Sequence, residues 1–161
     1  MFTISDGWIS PARHIASPNF NARPQRNDIS LLVIHCISLP PNVYGGDAIE
    51  RFFTNQLDPA AHPYFSTIAS MTVSSHLLIR RDGQLTQFVS LDQRAWHAGK
   101  SAFEGRDNCN DYSVGIELEG SDTDHYTDAQ YAMLAAVTQA IRRAYPAITP
   151  GRITAHSTIA P

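Results

Sequence analysis

No stretch of this 161-residue chain approaches the roughly 18 consecutive apolar residues that a transmembrane helix needs, so no membrane partner is expected. Basic residues are not in excess either: 12 Lys and Arg stand against 15 Asp and Glu, a formal net charge of −3 with histidine neutral. That balance gives no electrostatic reason to expect nucleic acid or an anionic membrane surface. Cysteine is scarce, with only Cys36 and Cys109, far apart in the sequence. The start, Met1-Phe2-Thr3-Ile4-Ser5-Asp6-Gly7-Trp8, has neither the basic nor the apolar segment of a Sec signal. Free thiols and a cytoplasmic location are therefore the expectation. Internal repeats, low-complexity tracts and interdomain linkers are missing. So are a Gly-x-Ser-x-Gly nucleophile elbow and a phosphate-cradling glycine loop.

What is present is the composition of an ordinary globule, 43% hydrophobic and 17% charged. A chain of this length is expected to form a single domain over residues 1–161, burying roughly two thirds of its unfolded surface. Residues 1–30, rich in Pro, Asn and Arg, predict an extended lead-in without regular period. Leu31 to Cys36 is a continuous apolar run, the pattern of a strand buried on both faces. Pro40, Pro41, Gly45 and Gly46 mark a loop, after which Asp47 can cap a helix with Ala48, Ile49, Phe52, Phe53 and Leu57 on one face. Asp58 to Ser70 is expected to be irregular because Pro59 and Pro63 interrupt it.

Further on, 76–80 and 84–89 flank Asp82-Gly83, a dipeptide that accepts the positive φ of a tight hairpin. Ser113 to Gly120 alternates at period two as a strand does. Thr127-Asp128-Ala129-Gln130 is a capping box opening a helix with Tyr131, Leu134, Val137, Ile141 and Tyr145 on one face, ended by Pro146. Arg152 to Ala155 closes the chain's list of strands. Strands and helices mingle, so the fold class is α/β, a mixed central sheet flanked by helices.

Seven histidines are present, and a lone histidine is most simply a satisfied or exposed imidazole. His35 and His156 differ because each follows a short apolar run, which mounts the ring rigidly at a sheet rim. Neutral imidazole suits zinc, and catalytic zinc takes ligands from distant strands. Spacing alone leaves the pair open between metal ligands and packed imidazoles. Glu117 and Glu119 project from one face of their strand, while Ile116 and Leu118 point to the other. That acidic face is either solvated or, if it carries His35 and His156, placed to deprotonate a water. Cys36 is no partner for His35, since neighbours on a strand point to opposite faces; with His35 in a site, Cys36 is expected in the core. Trp96 and His97, beside the small residues Ala98 and Gly99, are candidates for a groove wall.

Several segments in order resemble one family. They are 32–41 around His35, Ala60-Ala61-His62-Pro63, 75–83, Arg94-Ala95-Trp96-His97-Ala98-Gly99, 109–120 around Glu117, 126–131, and His156-Ser157-Thr158-Ile159-Ala160-Pro161. The set is similar to the type 2 N-acetylmuramoyl-L-alanine amidases, nearest to their cytoplasmic muropeptide-recycling members, and spans nearly the whole chain from Gly7. The resemblance implies a zinc (Zn2+) hydrolase with an amidase or peptidoglycan-recognition-protein-like fold. Such an enzyme cuts the amide between N-acetylmuramic acid, in its 1,6-anhydro form, and L-alanine of a muropeptide. It implies His35 and His156 as zinc ligands and Glu117 as the catalytic glutamate; Trp96 and His97 are expected to wall the substrate groove. The partner is then a small-molecule muropeptide; nothing in the sequence sets an oligomeric state.

The family pattern continues past Ile-Ala-Pro with a lysine and then an aspartate, the third zinc ligand. These positions are expected beyond Pro161, so the 161 residues are expected to lack that C-terminal segment. Cys36 and Asn108 also stand where an asparagine and an arginine are common, which leaves substrate preference open. The alternative function is a non-catalytic peptidoglycan-fragment binding module on the same fold, which keeps the groove but lacks a ligand.

Overall fold

Apolar residues at 31–34 have no solvated face, and the strand they form lies inside a sheet. In the computed structural model, which describes residues 1–161, β5 (Leu31–Ile37) is the second strand of a six-stranded mixed sheet. Four short strands precede it. β1 (Thr3–Ser5) and β2 (Trp8–Ser10) form a hairpin, β3 (Arg13–His14) is an edge of the main sheet, and β4 (Phe20–Asn21) pairs elsewhere. The expectation of an unpatterned lead-in is thus corrected. These pairings are two or three residues long, too short to leave a period in the sequence.

After β5 come two short helices, α1 (Ala48–Phe53) and α2 (Phe65–Ile68), the second in the segment expected to be irregular. Asp47 stands at the N-cap of α1, but its carboxylate does not cap. It accepts instead from Arg51 Nε at 2.7 Å, one helical turn on. The predicted hairpin is present: β6 (Leu77–Ile79) runs antiparallel to β7 (Leu85–Gln87), and Gly83 has φ +86° in the turn. β8 (Arg94–Ala95) pairs with β4, and β9 (Ala102–Phe103) with β10 (Arg106–Asp107). β11 (Ser113–Glu119) and β12 (Ile153–Ala155) complete the main sheet, ordered β12-β5-β11-β6-β7-β3, with β12, β5, β11 and β6 mutually parallel.

A parallel sheet is covered on both faces, and here the two faces divide the labour. On one, Leu32, Val114, Ile116 and Leu118 pack against Val137 and Ile141 of α3 (Asp128–Ala144). On the other, Leu31 and Val33 pack with Ala98, Tyr112 and Ile159, the last from α4 (His156–Ile159), a helix the sequence pattern did not predict. All seven residues of β11 are buried, so its period-two alternation marks a polar face inside the protein rather than a solvated one.

α3 opens with the expected capping box: Thr127 Oγ1 accepts from Gln130 N, and Gln130 Oε1 accepts from Thr127 N, both at 3.1 Å. Its buried face is rotated from the predicted one. Tyr131 is 55% exposed, whereas Gln130 is buried and donates to the carbonyls of Ile79 and Glu119, tying the helix start to two strands. Thr127 Oγ1 also donates to Arg81 O at 2.6 Å. Thr127→Ala is predicted to cost about 1 kcal/mol, read as a lower urea midpoint at constant m-value; an unchanged midpoint would show the cap to be dispensable.

Candidate active site

The carboxyl ends of parallel strands are where α/β sheets place their ligands, because the strand ends are rigid and the loops beyond them diverge. Here β5 ends with His35 in its last turn of pleat, β11 carries Glu117 directly opposite it, and β12 delivers His156 at the first residue of α4. Paired residues of parallel strands share a face, so Glu117 and His35 meet. His35 Nδ1 lies 4.0 Å from Glu117 Oε1, and the His35 and His156 rings are 4.8 Å apart between centroids. Three residues separated by as many as 121 positions thus converge on one point of the sheet rim. Both His35 and Glu117 are 8% exposed.

Trp96 and His97 arrive on the loop after β8. This loop is clamped: Asn110 Oδ1 accepts from the backbone N–H of both His97 (3.1 Å) and Ala98 (2.8 Å), and Trp96 N donates to Ser74 Oγ. Trp96 Nε1 donates to Asn21 Oδ1 at 3.0 Å, which turns the indole along the rim of a groove of about 470 Å³. The groove is also lined by Phe52, Met71, His97, Glu117 and His156. A larger hollow of about 660 Å³ adjoins it through Ile37, Phe52 and Met71 but reaches none of the three converging residues. Glu117 and His156 line the smaller groove, and His35 lines a neighbouring hollow with His156.

His97 does more than line a wall. Its Nδ1 is 2.9 Å from His35 Nε2, and its Nε2 is 3.2 Å from Ser113 Oγ. Asn110 and Ser113 are participants that sequence reasoning missed. Their only signal was membership of the segment 109–120; nothing local marks a short polar residue as a clamp. Glu119, the other acidic candidate, is not part of the groove. It is 2% exposed and accepts from Arg80 Nη1 and from the backbone N–H of Gly45 and Arg81 at 2.9–3.0 Å, a structural tie between the 40–46 loop and the hairpin. Cys36 is corrected as well. It is exposed, beside Asp122 and bordering a hollow with Leu118 and Tyr126. Both cysteines are free.

Burial governs the charges. Desolvation pushes the Glu117 carboxyl up to about 8, and desolvation plus the neighbouring His156 pushes His35 down to about 3. Between those values both are neutral, so their 4.0 Å contact is no ion pair. His97 is lowered well below the ordinary imidazole value by burial and then by His35. Three polar atoms in the cluster lack partners: Glu117 Oε2 and His156 Nδ1 are buried without a hydrogen bond, and His35 Nδ1 makes none. Buried polar atoms are normally satisfied. Two neutral imidazoles beside a buried carboxyl form a donor set that fits a zinc ion. No group of three or more His, Cys, Asp or Glu side chains is arranged to hold a metal.

A mixed sheet with two imidazoles and a buried glutamate at its parallel strand ends defines a hydrolase-type site. The profile of the N-acetylmuramoyl-L-alanine amidase family (Amidase_2) matches residues 25–161, and the chain belongs to that family. It is 54% identical over 158 residues to the 1,6-anhydro-N-acetylmuramyl-L-alanine amidase AmpD of Citrobacter freundii, covering 98% of this chain and 84% of that protein. A crystal structure of a selenomethionine AmpD derivative superposes with a TM-score of 0.96 at 54% identity, over 99% of this chain and 88% of the other. The Escherichia coli amidase AmiD, solved in complex with its substrate anhydro-N-acetylmuramic acid-L-Ala-D-gamma-Glu-L-Lys, gives 0.58 at 26% identity, over 99% and 58%.

These displaced groups make metal-free stability depend on pH. Folding retains the Glu117 proton, so stability falls as pH rises from about 4.5 towards 8. Folding keeps His35 and His76 neutral, with pKa values of about 3, so stability also falls as pH drops below 6.5. Several imidazoles outweigh one carboxyl where the windows overlap, which places the maximum near pH 6.5. Thermal unfolding in chelator across pH 5–9 is expected to show this maximum, with the alkaline decline abolished in Glu117→Gln. Parallel curves for the two proteins would contradict the burial account of Glu117.

Proposed function

We propose that this chain hydrolyses the amide between 1,6-anhydro-N-acetylmuramic acid and the L-alanine of muropeptides, as a zinc-dependent step of peptidoglycan recycling in the cytoplasm. The observation that carries the reading is Glu117 paired with His35 across two parallel strands, buried, with His156 alongside. The 54% identity to AmpD over 98% of the chain supports the substrate class.

His35 and His156 would hold zinc through their free Nδ1 atoms, one hydrogen-bonded to no group and the other buried without a partner. Zinc bound there would supply Lewis-acid polarisation of the scissile lactyl carbonyl. In its ionised form Glu117 takes a proton from the attacking water, and burial, which favours the neutral carboxyl, makes it a stronger base for that step. As the water oxygen bonds to the carbonyl carbon, the C–N bond breaks and Glu117 passes the proton to the departing alanine nitrogen. The products are a lactyl carboxylate and a free amino terminus. Trp96 offers its indole face along the groove to a sugar or peptide, and His97 backs His35.

A binding module without turnover is the second reading, favoured by one observation: no three His, Cys, Asp or Glu side chains are grouped so that they could hold a metal ion. Against it stands the unpartnered Glu117 carboxyl, whose burial is unfavourable and serves no purpose in a groove that only binds.

Incubation with anhydro-muropeptide is expected to release the L-Ala-peptide, with loss on chelation and recovery on adding zinc. Chelator-insensitive release would sink the zinc mechanism, and binding without any release would favour the module. Glu117→Gln is expected to keep zinc and lose about 10²- to 10⁴-fold in kcat. A kcat near that of the parent would remove Glu117 from the role of base.

A further inference from the structure

We propose that His97 and Ser113 form a two-way hydrogen-bond relay that sets the tautomer of His35, and so decides whether the His35 Nδ1 that lies toward Glu117 carries a free lone pair. The inference rests on the reading that His35 ligates through Nδ1. Its geometric basis is independent of that reading.

The relay is a continuous line: His35 Nε2 to His97 Nδ1 at 2.9 Å, then His97 Nε2 to Ser113 Oγ at 3.2 Å. The two rings meet edge to face, 5.0 Å apart at 88°. The scaffold is shaped for the second ring. Gly115, on the site face of β11 between Ser113 and Glu117, leaves the space that His97 fills, and a Cβ there would lie 2.7 Å from the His97 ring. The paired bonds from Asn110 Oδ1 fix the backbone on which the ring is carried. His76 is the next ring, 5.7 Å from His97, but both its nitrogens are spent: Nδ1 accepts from Gly115 N and Nε2 donates to Gln93 O. The relay therefore ends at Ser113, which is fully buried.

A neutral imidazole has one donor nitrogen and one acceptor, so the line has two polarities. In one, Ser113 donates to His97 Nε2, His97 Nδ1 donates to His35 Nε2, and the His35 proton sits on Nδ1, where it blocks ligation. In the other, His35 Nε2 donates to His97 Nδ1 and His97 Nε2 donates to Ser113 Oγ, leaving Nδ1 of His35 bare. Each ring carries one proton in both states. A carbonyl at the end would permit only the second polarity, whereas a hydroxyl, being donor and acceptor, terminates either. Ser113 thus lets the empty site satisfy its hydrogen bonds and lets a cation reverse them. Outer hydrogen-bond partners of this sort fix ligand orientation and typically change metal affinity 10- to 100-fold. His97 and Ser113 are positioning residues, acting through His35.

The test is ¹⁵N imidazole spectroscopy, which reports the protonated nitrogen, on the full chain with and without zinc. With zinc saturating, His35 and His97 are both expected to carry their protons on Nε2; a His97 protonated on Nδ1 overturns the relay. His97→Phe is expected to weaken zinc binding about 10- to 100-fold. His97→Asn, whose Oδ1 can accept where Nδ1 did, is expected to recover most of that loss. Equal zinc affinity in the parent and His97→Phe also overturns the proposal. Ser113→Ala, a smaller change, gives the same spectroscopic readout should His97→Phe not fold. If the parent binds no zinc, the metal reading fails separately. The relay is then judged in zinc-free protein, where His97→Phe or Ser113→Ala must change the His35 tautomer ratio and an unchanged ratio refutes it.

Discussion

The register of β11 against β5 is the constraint on which everything at this site depends. Parallel pairing puts Glu117 opposite His35, Gly115 opposite Val33 and Ser113 opposite Leu31, all on one face. A slip of one residue would turn Glu117 into the helix-covered core and Ile116 into the groove. The register is secured by what lies on the two faces. Val114, Ile116 and Leu118 fill the space under α3, while small or polar residues at 113, 115 and 117 meet the His97 loop and the groove. The groove face and the hydrophobic face are thus one pattern, read in opposite directions from the same strand.

Burial then gives that face its chemistry. A carboxyl and three imidazoles are held away from water, and desolvation drives all of them towards their neutral forms. Neutral imidazole is the form that binds a cation, and a carboxyl of raised pKa is the form that exchanges protons at moderate pH. The cost appears as unpartnered atoms at Glu117 and His156, in contrast to Glu119 two residues along. There, Arg80 and two backbone N–H groups satisfy the carboxylate. Two glutamates on one strand face have different fates because only one of them faces the groove.

Much of this was legible in the sequence, for physical reasons. An apolar strand carrying His35 near its end, a turn at Asp82-Gly83 and a capping box at Thr127 are local, and each requires its residue types at fixed spacing. The amidase resemblance and the architecture are both borne out by the family match and the AmpD superposition. What escaped was set by distant neighbours. Glu119 is buried because Arg80 and the loop at Gly45 come to it, and Cys36 is exposed beside Asp122, a neighbour 86 positions away. Asn110 clamps a loop more than ten residues away, and the short pairings of residues 1–30 leave no periodic signature. Local patterns carry no record of such partners.

The sheet brings two imidazoles together, those of His35 and His156, which we propose as the ligands of a zinc ion. X-ray absorption at the zinc edge of the zinc-loaded chain measures this directly. The account predicts scattering from two imidazole ligands, with Zn–N of about 2.0–2.1 Å, falling to one in either His35→Ala or His156→Ala. A zinc shell with no imidazole scattering, or one unchanged by both substitutions, would contradict it.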